Sequence, residues 1–201
     1  MELAGPTLTL RYATPADAAV LFELASDPQV TRFFSWGPYT RVEQPLAYIE
    51  RLAGQRDRGE QLDMLIVHRD DGPIGVTGLA ELSRRDRRAV VGTWLGRRWW
   101  GSGANDESKA LIGRLAFDHL GLDRVGAYAD VDNGRSQAAL ERIGFVREGV
   151  LRGWHRHGDS VRDVALFSLL RDDFARSRLA AVPTQLHGEP PQPFVVLPFS
   201  P

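Results

Sequence analysis

The chain of 201 residues is 43% hydrophobic and 25% charged, a composition that fits one globular domain with at most an appendage. Its 25 basic residues, all arginine except Lys109, face 26 acidic ones; a net charge of -1 excludes the broad basic field of a nucleic-acid protein, and the lack of cysteine excludes disulfides, thiolate metal sites and a cysteine nucleophile. No apolar run approaches the ~18 residues of a membrane span, and Met1–Pro6 lacks the basic-then-apolar plan of a secretory signal, so a cytoplasmic protein without membrane or nucleic-acid partners is expected.

In chain order, Leu8 to Tyr12 alternates apolar and polar residues, as a half-buried strand does. Thr14-Pro15-Ala16-Asp17 supplies a helix N-cap followed by proline at the first helical position, and the helix runs to about Ser26. Asp27-Pro28 opens a second short helix carrying Val30, Phe33 and Phe34. A third spans roughly Val42 to Arg58, with Leu46, Ile49 and Leu52 on one face. Met64 to His68 and Ile74 to Leu82 are β-rich runs joined by the turn signal Asp70-Asp71-Gly72-Pro73, which predicts a hairpin.

Ala89 to Leu95 forms a third run, after which the character changes to Gly96-Arg97-Arg98-Trp99-Trp100-Gly101-Ser102-Gly103. A long helix follows from Asn105 to about Leu120 and ends at Gly121. Val125 to Val131 reads as a strand, Asn133 to Arg142 as a helix closed by Gly144, and Phe145 to Leu151 as a strand. A last hairpin turns at His157-Gly158-Asp159 into Val161 to Leu169. Strands interrupted by single helices indicate a mixed α+β or α/β domain around one central sheet. From Ala180 to Pro201 lie six of the twelve prolines, so residues 1–179 are expected to form the domain and 180–201 an extended tail. The Phe194-Val195-Val196-Leu197 patch of that tail has either the domain or a partner to pack on.

The strand, then Arg98-x-x-Gly101-x-Gly103-Ala104, then helix is the segment that carries chemistry. Glycines bring backbone N–H groups close to a ligand, and the helix start adds unpaired N–H groups and the positive end of its dipole. Together these suit a pyrophosphate, although a plain strand-to-helix turn would use the same glycines. Position 106 is Asp where a dinucleotide loop has its third glycine, and the Gly-Lys-Ser/Thr of a nucleoside triphosphate loop is absent.

Arg-x-x-Gly-x-Gly after a strand, followed by Asp132-Asn133-x-x-Ser136 and then Ala139-Leu140-Glu141-Arg142-Ile143-Gly144-Phe145, resembles the GNAT superfamily of acetyl-CoA-dependent N-acetyltransferases. Thr93-Trp94-Leu95 through Asn105, with Glu148-Gly149-Val150-Leu151-Arg152, is similar to its ribosomal-protein N-terminal acetyltransferase-like branch. The resemblance covers roughly Leu8 to Phe174 and implies a central mixed, mostly antiparallel sheet flanked by helices. It implies that Trp94-Leu95-Gly96 splays from its neighbour and pairs with the pantetheine arm of acetyl-CoA. The loop Arg98 to Ala104, with Gly101, Ser102 and Gly103, would wrap the pyrophosphate above Asn105. Asn133 matches the Asn that bonds the cofactor arm, and Arg135 lies near enough in sequence to reach a phosphate.

Transfer of acetyl to an amine needs a base for the ammonium proton, a polarised thioester carbonyl, for which the N–H of Leu95 or Gly96 is a candidate, and a proton for the thiolate. Two residues usual in the family are replaced: Val90 stands where many members have Glu, and Leu140 where many have Tyr. In the ribosomal-type branch the resemblance puts Ser136 in the acid position. It puts His155 where that branch has an acidic residue, and histidine titrates near neutrality. Phe33, Phe34 and Trp36 fall in the loop that borders the acceptor site, where they would line an acceptor pocket or close the core. Trp99-Trp100 is read as packing beside the loop, and Arg84-Arg85-Asp86-Arg87-Arg88 as a solvated turn. His155 and His157 alone are too few ligands for a zinc site, so no metal is expected. The reading leaves room for a homodimer and, given Val90 and Leu140, for a catalytically weak acyl-CoA-binding or regulatory protein.

Overall fold

The computed structural model describes residues 1–196; Leu197, Pro198 and Pro201 of the proline-rich end lie outside the described residues. The elements are β1 (Glu2–Ala4), β2 (Leu8–Arg11), α1 (Ala18–Ala25), α2 (Pro28–Thr31), α3 (Glu43–Asp57), β3 (Gln61–His68), β4 (Gly72–Ser83), β5 (Arg88–Leu95), α4 (Ala104–Arg114), β6 (Arg124–Asp130), α5 (Gly134–Arg142), β7 (Val146–His157), β8 (Ser160–Leu170), α6 (Arg171–Arg176) and β9 (Gln185–His187). The strands form one sheet in the order β7-β8-β6-β5-β4-β3-β2-β1-β9. Neighbours are antiparallel except β5 and β6, which are parallel.

Strand alternation sends side chains to two different cores. On β3, Leu62, Met64 and Ile66 join the larger cluster with Leu111, Leu115 and Phe117 of the α4 segment. Leu65, between them, packs on the other face with Leu21 of α1 and Ile49 of α3. β5 divides in the same way: Val91 and Leu95 face the α4 side, and Trp94 the α1–α3 side. The predicted helix start at Thr14 is a capping box, in which Asp17 accepts from the Thr14 N–H at 2.8 Å. Beyond Arg114, α4 continues as a π turn over Leu115–His119. No helix among the described residues is long and apolar enough to cross a membrane.

Two expectations need correction. The proline-rich segment does not stay extended off the domain: β9, a proline-free stretch between Pro183 and Pro190, pairs with β1, and Phe194 is fully buried with Val196 at 6% exposure. Edge pairing asks only one side of the chain for hydrogen bonds, so prolines flanking three residues do not prevent it. The arginine-rich turn is not merely solvated either. Arg84 donates to the carbonyls of Pro193 and Val195, at 2.8 Å each, and Arg87 donates to the Gly121 carbonyl and pairs with Asp123. The turn therefore clamps the C-terminal segment against the end of the α4 helix, where the Val196 N–H meets the Leu120 carbonyl at 2.8 Å.

Candidate active site

The parallel seam of the sheet is closed over three residues only, with Arg88, Ala89 and Val90 opposite Arg124, Val125 and Gly126. Each strand is then kept by its antiparallel partner, β5 by β4 and β6 by β8 along its whole length, so the two part as the sheet twists. Ladder alternation decides which β5 groups face the gap. The Gly96 N–H donates to the Ile74 carbonyl at 2.9 Å, which fixes Trp94, Gly92 and Val90 as the residues turned to β4. The backbone groups of Val91, Thr93 and Leu95 point into the gap instead. Of the two amides suggested as a carbonyl polariser, that of Leu95 faces the gap and that of Gly96 is consumed by the sheet.

The gap widens into a cleft of about 470 Å³ lined by Thr93, Trp94 and Leu95 of β5, by Trp100, Gly101, Gly103 and Asn105 of the loop, and by Asn133, Arg135 and Ser136 of α5. Gly101 and Gly103 have φ of 78° and 93°, and a Cβ on either would meet no atom within 4 Å. These glycines serve a left-handed backbone that turns amides outward, not a steric squeeze. Among the described residues no hydrogen bond is made by the amides of Gly101, Gly103 or Asn105, at the start of α4. They are free donors at the positive end of a helix, suited to an anion. Ser102 is used inside the loop: its hydroxyl donates to the Trp99 carbonyl at 2.9 Å and accepts from Ala104 N–H at 3.2 Å.

The arginines divide sharply. Arg98 turns outward to Asp71, 3.0 Å away, and does not line the cleft. Arg135 does line it, with its guanidinium 3.3 Å from the centre of the Trp100 ring. Trp100 in turn donates its indole N–H to the Leu95 carbonyl at 3.0 Å, tying the loop to the strand end. Asn133 caps α5 by accepting from the Ser136 N–H at 3.2 Å. Of the two acids in the first turn of α4, Asp106 is neutralised by Arg142 and Arg178, each at 2.7 Å, and Glu107 turns away to accept from the Thr7 N–H at 2.8 Å.

A second cavity of about 230 Å³ adjoins the first and gathers Phe33, Phe34, Trp36, Trp154 and His155. Tyr128 and Asp130, at the free end of β6, are walls common to both, as are Phe33 and Phe34. Trp36 stacks on Phe34 at 5.2 Å and meets Trp94 edge-on at 5.6 Å, so the loop aromatics form a wall that continues to β5. His155 packs edge-on against Tyr128 at 5.5 Å. Ser136 and His155 therefore occupy different chambers, joined through β6. The neighbouring His157 is held below the usual histidine range by burial and by Arg162 and His155.

Sequence reasoning missed Tyr128, Asp130 and Lys109. Tyr128 donates to Glu81 at 3.1 Å, and burial together with that carboxylate raises its pKa. Glu81 reaches it from a β4 bulge with φ of 52°. Asp130, 7% exposed, accepts from Arg162 at 3.1 Å and from the Asp132 N–H at 2.9 Å. Lys109 lines the cleft from α4. The Glu and Tyr common in the resembled family have no substitute at their own positions. Val90 lies in the closed part of the seam, and Leu140 is 6% exposed among core residues.

The chain is similar to several known proteins. The chain is 34% identical to the uncharacterized N-acetyltransferase p20 of Bacillus licheniformis over 173 residues, covering 84% of this chain and 95% of that protein. It is 32% identical over 171 residues to YdaF of Bacillus subtilis (strain 168), whose name marks it as a candidate ribosomal N-acetyltransferase; the match covers 83% of this chain and 93% of the relative. Among solved structures, the microcin C7 self-immunity acetyltransferase MccE in complex with acetyl-CoA and AMP shares the fold with a TM-score of 0.74 at 22% identity, over 82% of this chain and 93% of that one. Residues 7–146 match the model of the acetyltransferase (GNAT) domain, and the chain belongs to the GNAT acetyltransferase family.

Proposed function

We propose that this protein transfers the acetyl group of acetyl-CoA directly to an amine, carried by a protein N-terminus or a small molecule. The observation that carries the reading is the parting of β5 from β6 beside a loop of free amides, opening into an aromatic chamber. A strand edge with unpaired N–H and C=O groups suits an arm containing amides. The amides of Gly101, Gly103 and Asn105 suit its pyrophosphate. The acetyl-CoA complex of MccE and the naming of YdaF support the choice of acyl donor and the inclusion of protein N-termini among acceptors.

In the reaction the acceptor enters through the chamber of Phe33, Phe34 and Trp36 and loses its proton to His155, directly or through one water. The free amine attacks the thioester carbon while a β5 amide facing the gap, that of Leu95 among the candidates, holds the developing oxyanion. The carbon–sulfur bond breaks, the departing thiolate takes the proton of the Ser136 hydroxyl, and that hydroxyl is restored, through water, by the proton the attacking nitrogen releases as it becomes an amide. Products are the N-acetylated amine and CoA, with no covalent enzyme intermediate.

The test is thiol release from acetyl-CoA with a panel of small amines and peptides with free N-termini. Turnover with one acceptor class supports the proposal, and no release with any of them overturns it. The apolar Val90 and Leu140 favour a second reading, a weakly catalytic acyl-CoA-binding protein, which predicts calorimetric binding of acetyl-CoA without turnover.

A further inference from the structure

Lys109 is the only lysine of the chain, and it sits 6% exposed in the second turn of α4. Lysines on helices normally run their stems along apolar surface and put the ammonium in water. This one lies against β5 at the wall of the cleft, and its Nζ donates to Thr93 Oγ1. That hydroxyl donates to the Gly92 carbonyl at 2.8 Å and is 2.7 Å from Thr77 Oγ1. Among the described residues Lys109 forms no ion pair, since Asp106, one turn earlier, is held by Arg142 and Arg178. Burial, opposed only by Asp106, brings its pKa down to about 7.

Charged or neutral, Nζ has at least one more N–H than the Thr93 hydroxyl can accept, and a buried donor left unmet costs about 1–3 kcal/mol. A methionine or leucine would fill the same space without that cost. An amine here is accounted for by a polar occupant of the cleft. Its neighbour on the strand, Thr93, turns its free backbone N–H and C=O into the same gap, so an occupant lying along β5 passes both.

Building on the acyl-CoA reading of the cleft, we propose that Lys109 is a ligand for the arm of the acyl thioester, its Nζ donating a hydrogen bond to an amide carbonyl of the arm. The loop amides hold the nucleotide end, and Lys109 holds the middle of the arm next to Thr93. The ligand class follows from this division: a thiol or thioester with amide carbonyls in its arm, in preference to a nucleotide that lacks one.

Because the chain has a single lysine, full-length protein labelled isotopically in lysine gives one Nζ signal. Adding CoA is expected to shift that signal, and adding ADP, which carries a pyrophosphate and no arm, to leave it in place. By calorimetry, Lys109→Met is expected to bind CoA about tenfold more weakly and ADP as the wild type does. A signal that ignores CoA, unchanged CoA affinity in Lys109→Met, or equal losses for CoA and ADP would each overturn the assignment. So would acetylation of Nζ by acetyl-CoA, which would make Lys109 an acceptor instead of an arm ligand. A wild-type protein that binds no CoA at all removes the acyl-CoA reading itself, a result separate from those.

Discussion

The Arg135 guanidinium rests 3.3 Å from the centre of the Trp100 ring, so the cation of the Asn-x-x-Ser helix is fixed by an aromatic of the glycine loop. The same indole donates to the Leu95 carbonyl at 3.0 Å. One side chain thus couples the strand edge, the loop and a guanidinium that faces the cleft. Trp100→Ala removes a stacked cation–π contact and a hydrogen bond, each worth about 1 kcal/mol, so acetyl-CoA affinity should fall about thirtyfold. Trp100→Phe keeps the ring and loses only the indole donor, and its loss should be several times smaller. Isothermal titration of both variants checks the order, and equal affinities for Trp100→Ala and wild type would refute the coupling.

Gly103 has φ of 93°, and a Cβ there would meet no atom within 4 Å. Gly103→Ala therefore meets no clash and bears only the left-handed backbone cost, roughly 1–2 kcal/mol. On a chain of this size that lowers Tm by a few degrees. If the alanine relaxes towards negative φ, the loop amide turns away from the cleft, so CoA affinity should drop more than stability does. Thermal unfolding and titration on the same sample separate the two effects.

Ser136 and His155 stand in different chambers, and their variants should differ accordingly. His155→Ala should lower kcat on the order of a hundredfold, as loss of a general base does, and leave acetyl-CoA binding intact because the histidine does not line the cleft. Ser136→Ala should also depress kcat, and its effect should shrink with acyl donors whose thiols are more acidic and leave without a proton. Steady-state kinetics with acetyl-CoA and with an activated thioester measures both. A Ser136→Ala loss that is the same for both donors would speak against the acid role.

Asp17 accepts from Arg11 at 2.7 Å and from the Thr14 amide at 2.8 Å, and these contacts, Arg11 first, hold its pKa down to about 2. A depressed carboxylate pKa contributes stability that is fully present above the unfolded value near 4 and is lost as pH falls through about 2. Because Arg11 is partly exposed, the contribution is about 1–2 kcal/mol. Asp17→Asn should lower Tm at pH 7 and show a smaller further drop between pH 4 and pH 2 than the wild type. Parallel thermal melts across that range give the comparison.

The elements from Leu8 to Leu169 were readable because their apolar residues follow a period of two or near four, and Thr14, Gly101, Gly121 and Gly158 mark where one gives way to the next. The glycine loop was readable for the same local reason: its geometry is written in two glycines and a helix start. The chambers were not, because they depend on pairing between distant segments. Nothing local to Arg98 reveals that Asp71 will take its guanidinium, and nothing in Gly96 shows that Ile74 will take its amide. Lys109 was visible only as a compositional oddity, since its helix places it against a strand more than ten residues away. Tyr128 and Asp130 read as ordinary strand residues until the sheet opens beside them.

The C-terminal segment shows most plainly how composition misled. Phe194 is fully buried, Val196 is 6% exposed, and Arg84 holds the backbone between and before them. If the segment were a detachable tail, removing residues 185–201 would leave the melting curve unchanged. The structure predicts the opposite: Phe194→Ala alone should cost about 3 kcal/mol by transfer and cavity terms, and truncation before Gln185 should cost more, because β1 also loses its partner. Arg84→Ala should fall between the wild type and Phe194→Ala, since it frees two carbonyls without emptying the core. Denaturant unfolding of the three variants gives the ranking, and a truncated chain as stable as the full one would show that the segment merely lies on the surface.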